Sequence, residues 1–334
     1  MIDYLTCISD KLRKEKGDSM AHIQAETEIR PSSIGKLGKR LVKSKLLILM
    51  FLPCLLYYIL FKYYPMIGIV VSFKNYNLYK GIWASDWVGF KYYITFFHNP
   101  DFWLLFRNTF LLGLYKLLFG FPAPVILALL LNEAKNILFK RFVQTATYLP
   151  HFISNVIVAS MVTMFLSPTG GLINRVMNAF GVDTINFLTE PGWFRSIYVL
   201  SEIWQHLGWE TIIYLAALSS IDSSLYEAAD IDGAGRLRKI WSVTLPGIAS
   251  AIVILLLLNV GKILEIGFEK VYLLANPVTY ETADIFSTYV YRVGMTNGNF
   301  SYASAIDMFT GVVSVVFIVS ANYISRKLSD NSLW

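Results

Sequence analysis

Four polar or aromatic residues inside an apolar stretch, Glu202, Gln205, His206 and Trp209, recur at i, i+3, i+4 and i+7 and so share one face of a helix. Trp204 and Glu210 lie near that face. Aromatic rings can cover the C–H faces of a sugar while amides and acids satisfy its hydroxyls, so this set could bind a polyol. The same groups could instead hydrogen-bond one helix to another without touching any solute, and the sequence leaves both readings open. Asn259, Lys262 and Glu265 recur at i+3 steps in a later apolar stretch, and Asp307, close to Tyr302, opens the last one. Ionisable groups in such surroundings are functional candidates, although Lys262 and Glu265 could simply neutralise each other. Lys62 and Lys116 have stems long enough to carry their ammonium groups outward, and would attract uronic acids if they faced a passage.

Other chemistry finds little support. The histidines at 22, 98, 151 and 206 are scattered, and neither HExxH nor GxSxG occurs, so a hydrolase or glycosyltransferase built on paired acids has no compact constellation. Cys7 and Cys54 form no CxxC or other metal-ligand spacing, so no metal site or disulfide is expected. No GxxxxGK[ST] loop is present to cradle phosphates. The net charge of +6 comes from basic residues at the edges of apolar segments, a topological pattern rather than a nucleic-acid surface.

These residues need a membrane-embedded scaffold. The chain of 334 residues is 55% hydrophobic and 16% charged, with a mean hydropathy of +0.51, more apolar surface than a soluble fold hides. Six stretches are candidates for spanning helices: 46 to 72, 104 to 131, 152 to 167, 196 to 217, 247 to 267 and 306 to 325. Of 29 Lys and Arg residues, 18 fall in segments 1 to 45, 132 to 151, 218 to 246 and 326 to 334, against 8 in the alternate segments. Basic residues are retained on the cytoplasmic side, so both termini and the 218 to 246 loop are expected inside. Residues 1 to 45 form a basic segment without a cleavable signal, Met20 being an alternative start, and 326 to 334 a short tail. Trp83, Trp87, Trp103 and Trp193 fall at or in the outer segments, where they suit the headgroup layer. Pro168 to Gly171, Glu190 to Gly192 and Asn297-Gly298 read as turns in short outer loops, and no repeat of broken helices is apparent.

The loop 218 to 246, LSSIDSSLYEAADIDGAGRLRKIWSVTLP, is too polar to span and too patterned for a linker. It reads as helix, turn and second helix: Ser224 with Glu227 forms a capping box, Gly233 lets the chain leave the helix, and Pro246 marks re-entry into the fifth span. Leu225, Ala228, Ala229 and Asp232 would present a narrow face of mostly small side chains to a groove on another protein. Arg236, Arg238 and Lys239 could pair with that partner or only hold the loop inside.

Glu227-Ala228-Ala229, three residues, Gly233, nine residues, Val243, one residue, Leu245-Pro246 resembles the EAA loop of ABC-importer permeases, with Val243 at the usual isoleucine position. From about Leu46 onward the chain resembles carbohydrate-uptake permeases of the maltose and multiple-sugar type, in their LplB-like polysaccharide branch; residues 51 to 77, 132 to 154 and 203 to 222 carry that likeness. The resemblance implies an all-α membrane protein of six spans over 46 to 325 with the type I importer fold, in a bacterial cell membrane. It implies that Glu227 anchors the loop in a cleft of a separate ATPase, that Ala228 and Ala229 allow close approach, and that Gly233 allows the bend, with Leu245 and Pro246 completing the motif. It further implies a second related permease, two ATPases carrying ATP and Mg, and an extracellular solute-binding protein that delivers an oligosaccharide. Polyamine, phosphonate or glycerol phosphate remains an alternative cargo, because the loop is shared across importers.

Overall fold

The computed structural model describes residues 45 to 328, so the basic segment at the amino terminus, Cys7 and the last residues of the tail lie outside the described residues. Two units divide at Ile67 and Gly68. In the first, α1 (Lys45–Tyr58) continues through a π turn at Ile59–Tyr63 and a last turn at Tyr64–Met66, with no buried side chain. Apolar side chains on every face suit a helix whose neighbour is lipid. Lys62 falls in that π turn.

The second unit begins with a minimal antiparallel pairing of β1 (Lys74–Asn75) with β2 (Asp86–Trp87). Then α2 (Phe102–Tyr115) passes through a π turn at Lys116–Gly120 into α3 (Pro122–Glu133). The helix α4 (Ile137–Tyr148) is followed, across residues 149 to 154, by α5 (Asn155–Leu166). The helical stretches on either side meet at 104°. α4 lies before the apolar stretch read from sequence, in a segment that carries Lys140, Arg141 and Gln144.

The fourth span, α6 (Pro191–Ser219), is unbroken over 29 residues. It leads to the loop helix α7 (Ser223–Ile231) and, through the stretch Arg236–Gly247, to α8 (Ala249–Gly261). That stretch meets α8 at 62°. α8 ends at Gly261, a turn follows, and the short helix α9 (Phe268–Leu274) begins. After α10 (Phe286–Tyr291) the chain closes with α11 (Phe300–Leu328).

The stretch 152 to 167 read as the third span is met by α5, whereas the stretch 247 to 267 read as the fifth is interrupted by the turn after α8. Pro150 lies in the first gap, between α4 and α5, and Gly261 and Gly267 bound the second. Unwound backbone at membrane depth is tolerated where protein buries it or water reaches it. Here Ile263, Leu264 and Ile266 of the second gap are buried. The segment after α8 is also more than punctuation: Ile266, Val271, Leu274, Ala283 and Ile285 share one apolar cluster with Leu112 and Tyr198, and Phe286, Tyr289 and Val293 join Phe96, Phe102 and Tyr302 in a second. Two expected turns do hold, with Gly170 and Gly298 in the left-handed region. Trp83, Trp87, Trp103 and Trp193 are all exposed, as headgroup anchors must be.

Three π turns each end two residues before a proline: Ile59–Tyr63 before Pro65, Lys116–Gly120 before Pro122, and Ile240–Thr244 before Pro246. A proline removes one amide donor and its ring crowds the carbonyl four residues back. The wider turn shifts the bonding by one residue and admits the ring without ending the helix.

In lipid the water-driven hydrophobic term between helices is weak, so close packing through small residues holds the bundle. Gly208 of α6 is the tightest such point on that helix, since a Cβ there would run into the backbone of Thr147 and Tyr148 at the end of α4. Gly208→Val should destabilise the protein by about 1–3 kcal/mol, the usual cost of overpacking a site that cannot yield. Thermal unfolding of the detergent-solubilised protein checks this, and an unchanged midpoint would show that α4 moves aside.

Candidate functional site

Pro191 in the first turn of α6 supplies a helical φ without needing an amide partner, and the packed side of the helix mixes large residues such as Phe194, Tyr198 and Tyr214 with Ser201, Glu202, Gln205, Gly208 and Thr211. Thr211 Oγ1 donates to the Leu207 carbonyl at 2.6 Å, and Ser201 Oγ to that of Tyr198 at 2.7 Å, so neither hydroxyl is left unpaired in the bundle. At a rise of 1.5 Å per residue, Glu202 stands roughly 17 Å from one end of α6 and roughly 26 Å from the other, well inside any hydrocarbon layer.

Glu202 is buried and gathers charge from three directions. Lys116 Nζ lies 3.1 Å from its Oε2, Lys270 Nζ lies 2.5 Å from its Oε1, and His206 Nε2 lies 3.9 Å from Oε1. Lys116 comes from the π turn after α2 and Lys270 from α9, so one carboxylate ties α2, α6 and α9 together. Lys116 therefore does not carry its ammonium outward alone. Lys270 is 1% exposed at its side chain against 40% for Lys116, so Lys270 depends far more on this partner. Lys270 and His151 are the contributors that the sequence did not reveal. Both are distant from Glu202 in the chain, and Lys270 sits in a segment that reads as an outer loop.

The expected face of α6 is real, and protein occupies much of it. Gln205 Nε2 donates to the Ile153 carbonyl at 2.9 Å, capping the gap between α4 and α5. His206 Nδ1 meets His151 Nδ1 at 3.1 Å, so two histidines far apart in sequence share one hydrogen bond. A proton on Nδ1 of His151 and on Nε2 of His206 satisfies that bond and directs a donor towards Glu202. His151 stacks on Trp209 with centroids 4.5 Å apart and planes 3° from parallel. Trp204, Trp209 and Glu210 remain exposed on the same helix. Lys116, Glu202, His206, Glu210 and Asn259 line a cleft of about 20 Å³. That is room for about one water, and no sugar ring fits it in this conformation.

The proposed row of Asn259, Lys262 and Glu265 is not one helical face, because α8 stops at Gly261 and Lys262 starts a turn. Lys262 and Glu265 are exposed and form no ion pair with each other among the described residues. Asn259 is exposed, its amide donating to the Leu255 carbonyl at 2.9 Å. Asp307 is exposed while Tyr302 is buried, its hydroxyl accepting from Asn99 at 2.9 Å.

The loop helix α7 has a different cap from the one read in sequence. Asp222, not Ser224, is the N-cap: its Oδ1 accepts from the Ser224 amide at 2.9 Å. That bond holds the Asp222 carboxyl below its ordinary range, so its contribution to α7 is complete above ordinary carboxylate pKa values and fades as pH falls through the lowered one. At the other end the Ala234 amide donates to Ala229 at 2.9 Å and the Gly233 amide to Asp230 at 3.0 Å, a paired stop that closes the helix. Gly233 reaches it at φ +70°, where a Cβ would be strained although nothing crowds it. Lys239 pairs with Asp230 at 2.6 Å, and Tyr226 Oη bonds Thr244 Oγ1 at 3.1 Å, so the returning strand of the loop braces α7. Glu227 and Ala228 are exposed, Ala229 half-buried, and Leu245 and Pro246 sit where the stretch turns into α8. Glu227 has no hydrogen bond or ion pair with any described residue, and Leu225, Ile231, Leu237 and Trp241 of the same loop are exposed.

Residues 120 to 330 match the family described as binding-protein-dependent transport system inner membrane component. The chain belongs to that family. As a member it is a membrane permease with the type I importer fold and a transport subunit. Protein LplB of Bacillus subtilis (strain 168) is 47% identical over 294 residues, 88% of this chain and 92% of its own. The polygalacturonan/rhamnogalacturonan transport system permease protein YteP of the same strain is 49% identical over 295 residues, with the same coverage of 88% and 92%. A crystal structure of a bacterial alginate ABC transporter, in complex with an alginate pentasaccharide-bound periplasmic protein, contains a chain that superposes with a TM-score of 0.82 at 43% identity, covering 89% of this chain and 100% of that one.

In this permease the Glu202 node makes a quantitative demand. Glu202→Gln leaves Lys270 charged and nearly sealed, and should cost about 3–5 kcal/mol, whereas Lys116→Ala, half in solvent, should cost at most about 1 kcal/mol. Replacing both members as Glu202→Leu with Lys270→Met should recover most of the larger loss. Denaturant unfolding of the three variants beside wild type tests this, and a double variant no better than Glu202→Gln would overturn the pairing.

Proposed function

We propose that this permease is one half of a two-permease pathway that imports an oligosaccharide, with acidic, polysaccharide-derived chains as the preferred cargo. The likeness to the polygalacturonan/rhamnogalacturonan permease and to the alginate transporter supports that cargo. In this reading both termini and α7 are cytoplasmic, in agreement with the distribution of Lys and Arg. An extracellular solute-binding protein delivers the sugar, and two separate ATPases bind ATP and Mg and drive the cycle.

The observation that carries the coupling role is the state of α7. The helix is capped at both ends, braced by Asp230–Lys239 and Tyr226–Thr244, and offers an unpartnered Glu227 with Ala228 beside it. A rigid, low-relief helix with one free acid is a shape that fits a groove on a partner. Ala229 backs that surface, Gly233 ends it, and Leu245-Pro246 links its movement to α8.

The solute route runs, in this reading, beside α6 where both gaps reach it. The gap 149 to 154 touches Gln205 and His206, and Ile266 of the gap after α8 shares a cluster with Tyr198. Breaks that meet charged and aromatic groups at mid-depth are how transport proteins build sites without a permanent pore. Glu202, Gln205, His206 and Trp209 would then position the gaps, with Asn259 and Lys262 reaching the route when the cleft widens.

ATP-dependent uptake of a labelled oligogalacturonide into vesicles holding the complete importer tests both parts. Glu227→Ala and Gly233→Pro should each lower uptake at least about tenfold, since proline cannot adopt the positive φ, while the subunits still co-purify. Full uptake in both variants would remove α7 from the coupling, and uptake without ATP would point to a gradient-driven carrier.

A further inference from the structure

An open groove of about 340 Å³ lies apart from the Glu202 node, between α9, α10 and the start of α11. Phe268, Ser287, Tyr291, Ser304 and Asp307 are among its walls. Its volume falls in the range of small-molecule sites.

One wall is aromatic. The rings of Phe268 and Tyr291 are 5.0 Å apart, and Tyr272 closes a triangle at 5.3 Å from Phe268 and 5.2 Å from Tyr291. Tyr272 is 52% exposed and Tyr291 37%, so the platform is not sealed by its own chain. The other wall is polar. Asp307 is exposed, and its carboxylate has no hydrogen bond or ion pair with any described residue. Ser287 Oγ likewise has no partner among the described residues although solvent does not reach it. Asp307 is seven residues into α11, roughly 10 Å along the helix, and a free carboxylate at that depth is costly against lipid and marks a solute path.

The charge inside the groove selects between kinds of sugar. A carboxylate only accepts hydrogen bonds, so Asp307 takes hydroxyl donors. Among the described residues no Lys, Arg or His lines the groove, so a uronate carboxylate there would face Asp307 without a cation from them. We propose that this groove is a subsite for a neutral pyranose unit of the transported chain, with the rings of Phe268 and Tyr291 under its C–H face and Asp307 accepting from its hydroxyls. The inference rests on the oligosaccharide reading above and sharpens it: cargo of mixed composition is held in a register that places a neutral unit beside α11.

The test uses the complete importer with its binding protein in vesicles, and two labelled tetrasaccharides, one made only of uronates and one alternating uronate with a neutral deoxyhexose. Each variant is compared with wild type on the same sugar, which cancels the preference of the binding protein. Asp307→Asn and Tyr291→Ala should each lower uptake of the alternating chain about tenfold, the scale of one lost charged hydrogen bond, and leave the all-uronate chain unchanged or, for Asp307→Asn, improved. Ser304→Ala, a smaller change to the same wall, should shift the alternating chain alone and serves if either first variant fails to assemble. Equal effects on both sugars, or none on either, would overturn the subsite while leaving the oligosaccharide reading intact. Wild-type uptake of neither sugar would sink that reading and the subsite with it.

Discussion

A carboxylate held inside a hydrocarbon layer must be neutralised by neighbours, and in this permease that need organises the bundle. Glu202 cannot be left alone on a helix of 29 residues, so Lys116 and Lys270 are drawn to it from two other elements. The position of α9 follows from that attraction as much as from its apolar contacts, because the buried ammonium of Lys270 has to reach Glu202. The break after α8 gives α9 the freedom to do so. The other break is held from the same face of α6, by Gln205 on the Ile153 carbonyl and by the paired histidines. One helix thus carries the polar groups that make two interrupted helices acceptable within a membrane.

Local features were readable from sequence and long-range ones were not. The loop 218 to 246 was legible because its signals lie close together in the chain: Gly233 ends α7, Pro246 lies in the last turn before α8, and Glu227 is exposed. Even there Asp222 took the capping role that Ser224 was expected to play, since two acceptors stood close enough to compete for the same amides. The face of Glu202, Gln205, His206 and Trp209 was legible from helical spacing. Its partners were not, because Lys270 is 68 residues away and reads as a loop charge. The row Asn259, Lys262, Glu265 failed for the opposite reason: spacing implies a face only while the helix continues, and Gly261 ends it.

The distribution of small residues adds a second control on the same geometry. Gly208 lets the end of α4 approach α6 closely enough for His151 to stack on Trp209, so a packing choice and an electrostatic one meet at a single depth. A second region of the bundle is built differently, from dense aromatic contacts among Phe96, Phe102, Phe286, Tyr302 and Phe309. Many ring contacts make it stiff, whereas the surroundings of Glu202 rely on a few charges and two gaps. Movement during transport should concentrate where the holding interactions are few and polar.

The widened turns before Pro65, Pro122 and Pro246 bear on how such movement is accommodated. In a regular helix, rotating one half against the other means breaking bonds in a solvent that offers no replacement. A wide turn already contains one residue more than the regular pitch needs, so an amide can pass from one carbonyl to the next while the total stays constant. Such a turn works as a swivel: it lets the helix beyond it change azimuth without exposing an unpaired group to lipid. The swivel before Pro122 carries Lys116, so twisting there also swings a charge around Glu202. The swivel before Pro246 joins the bracing half of the loop 218 to 246 to α8, so a displacement of α7 would be passed on as a rotation of α8.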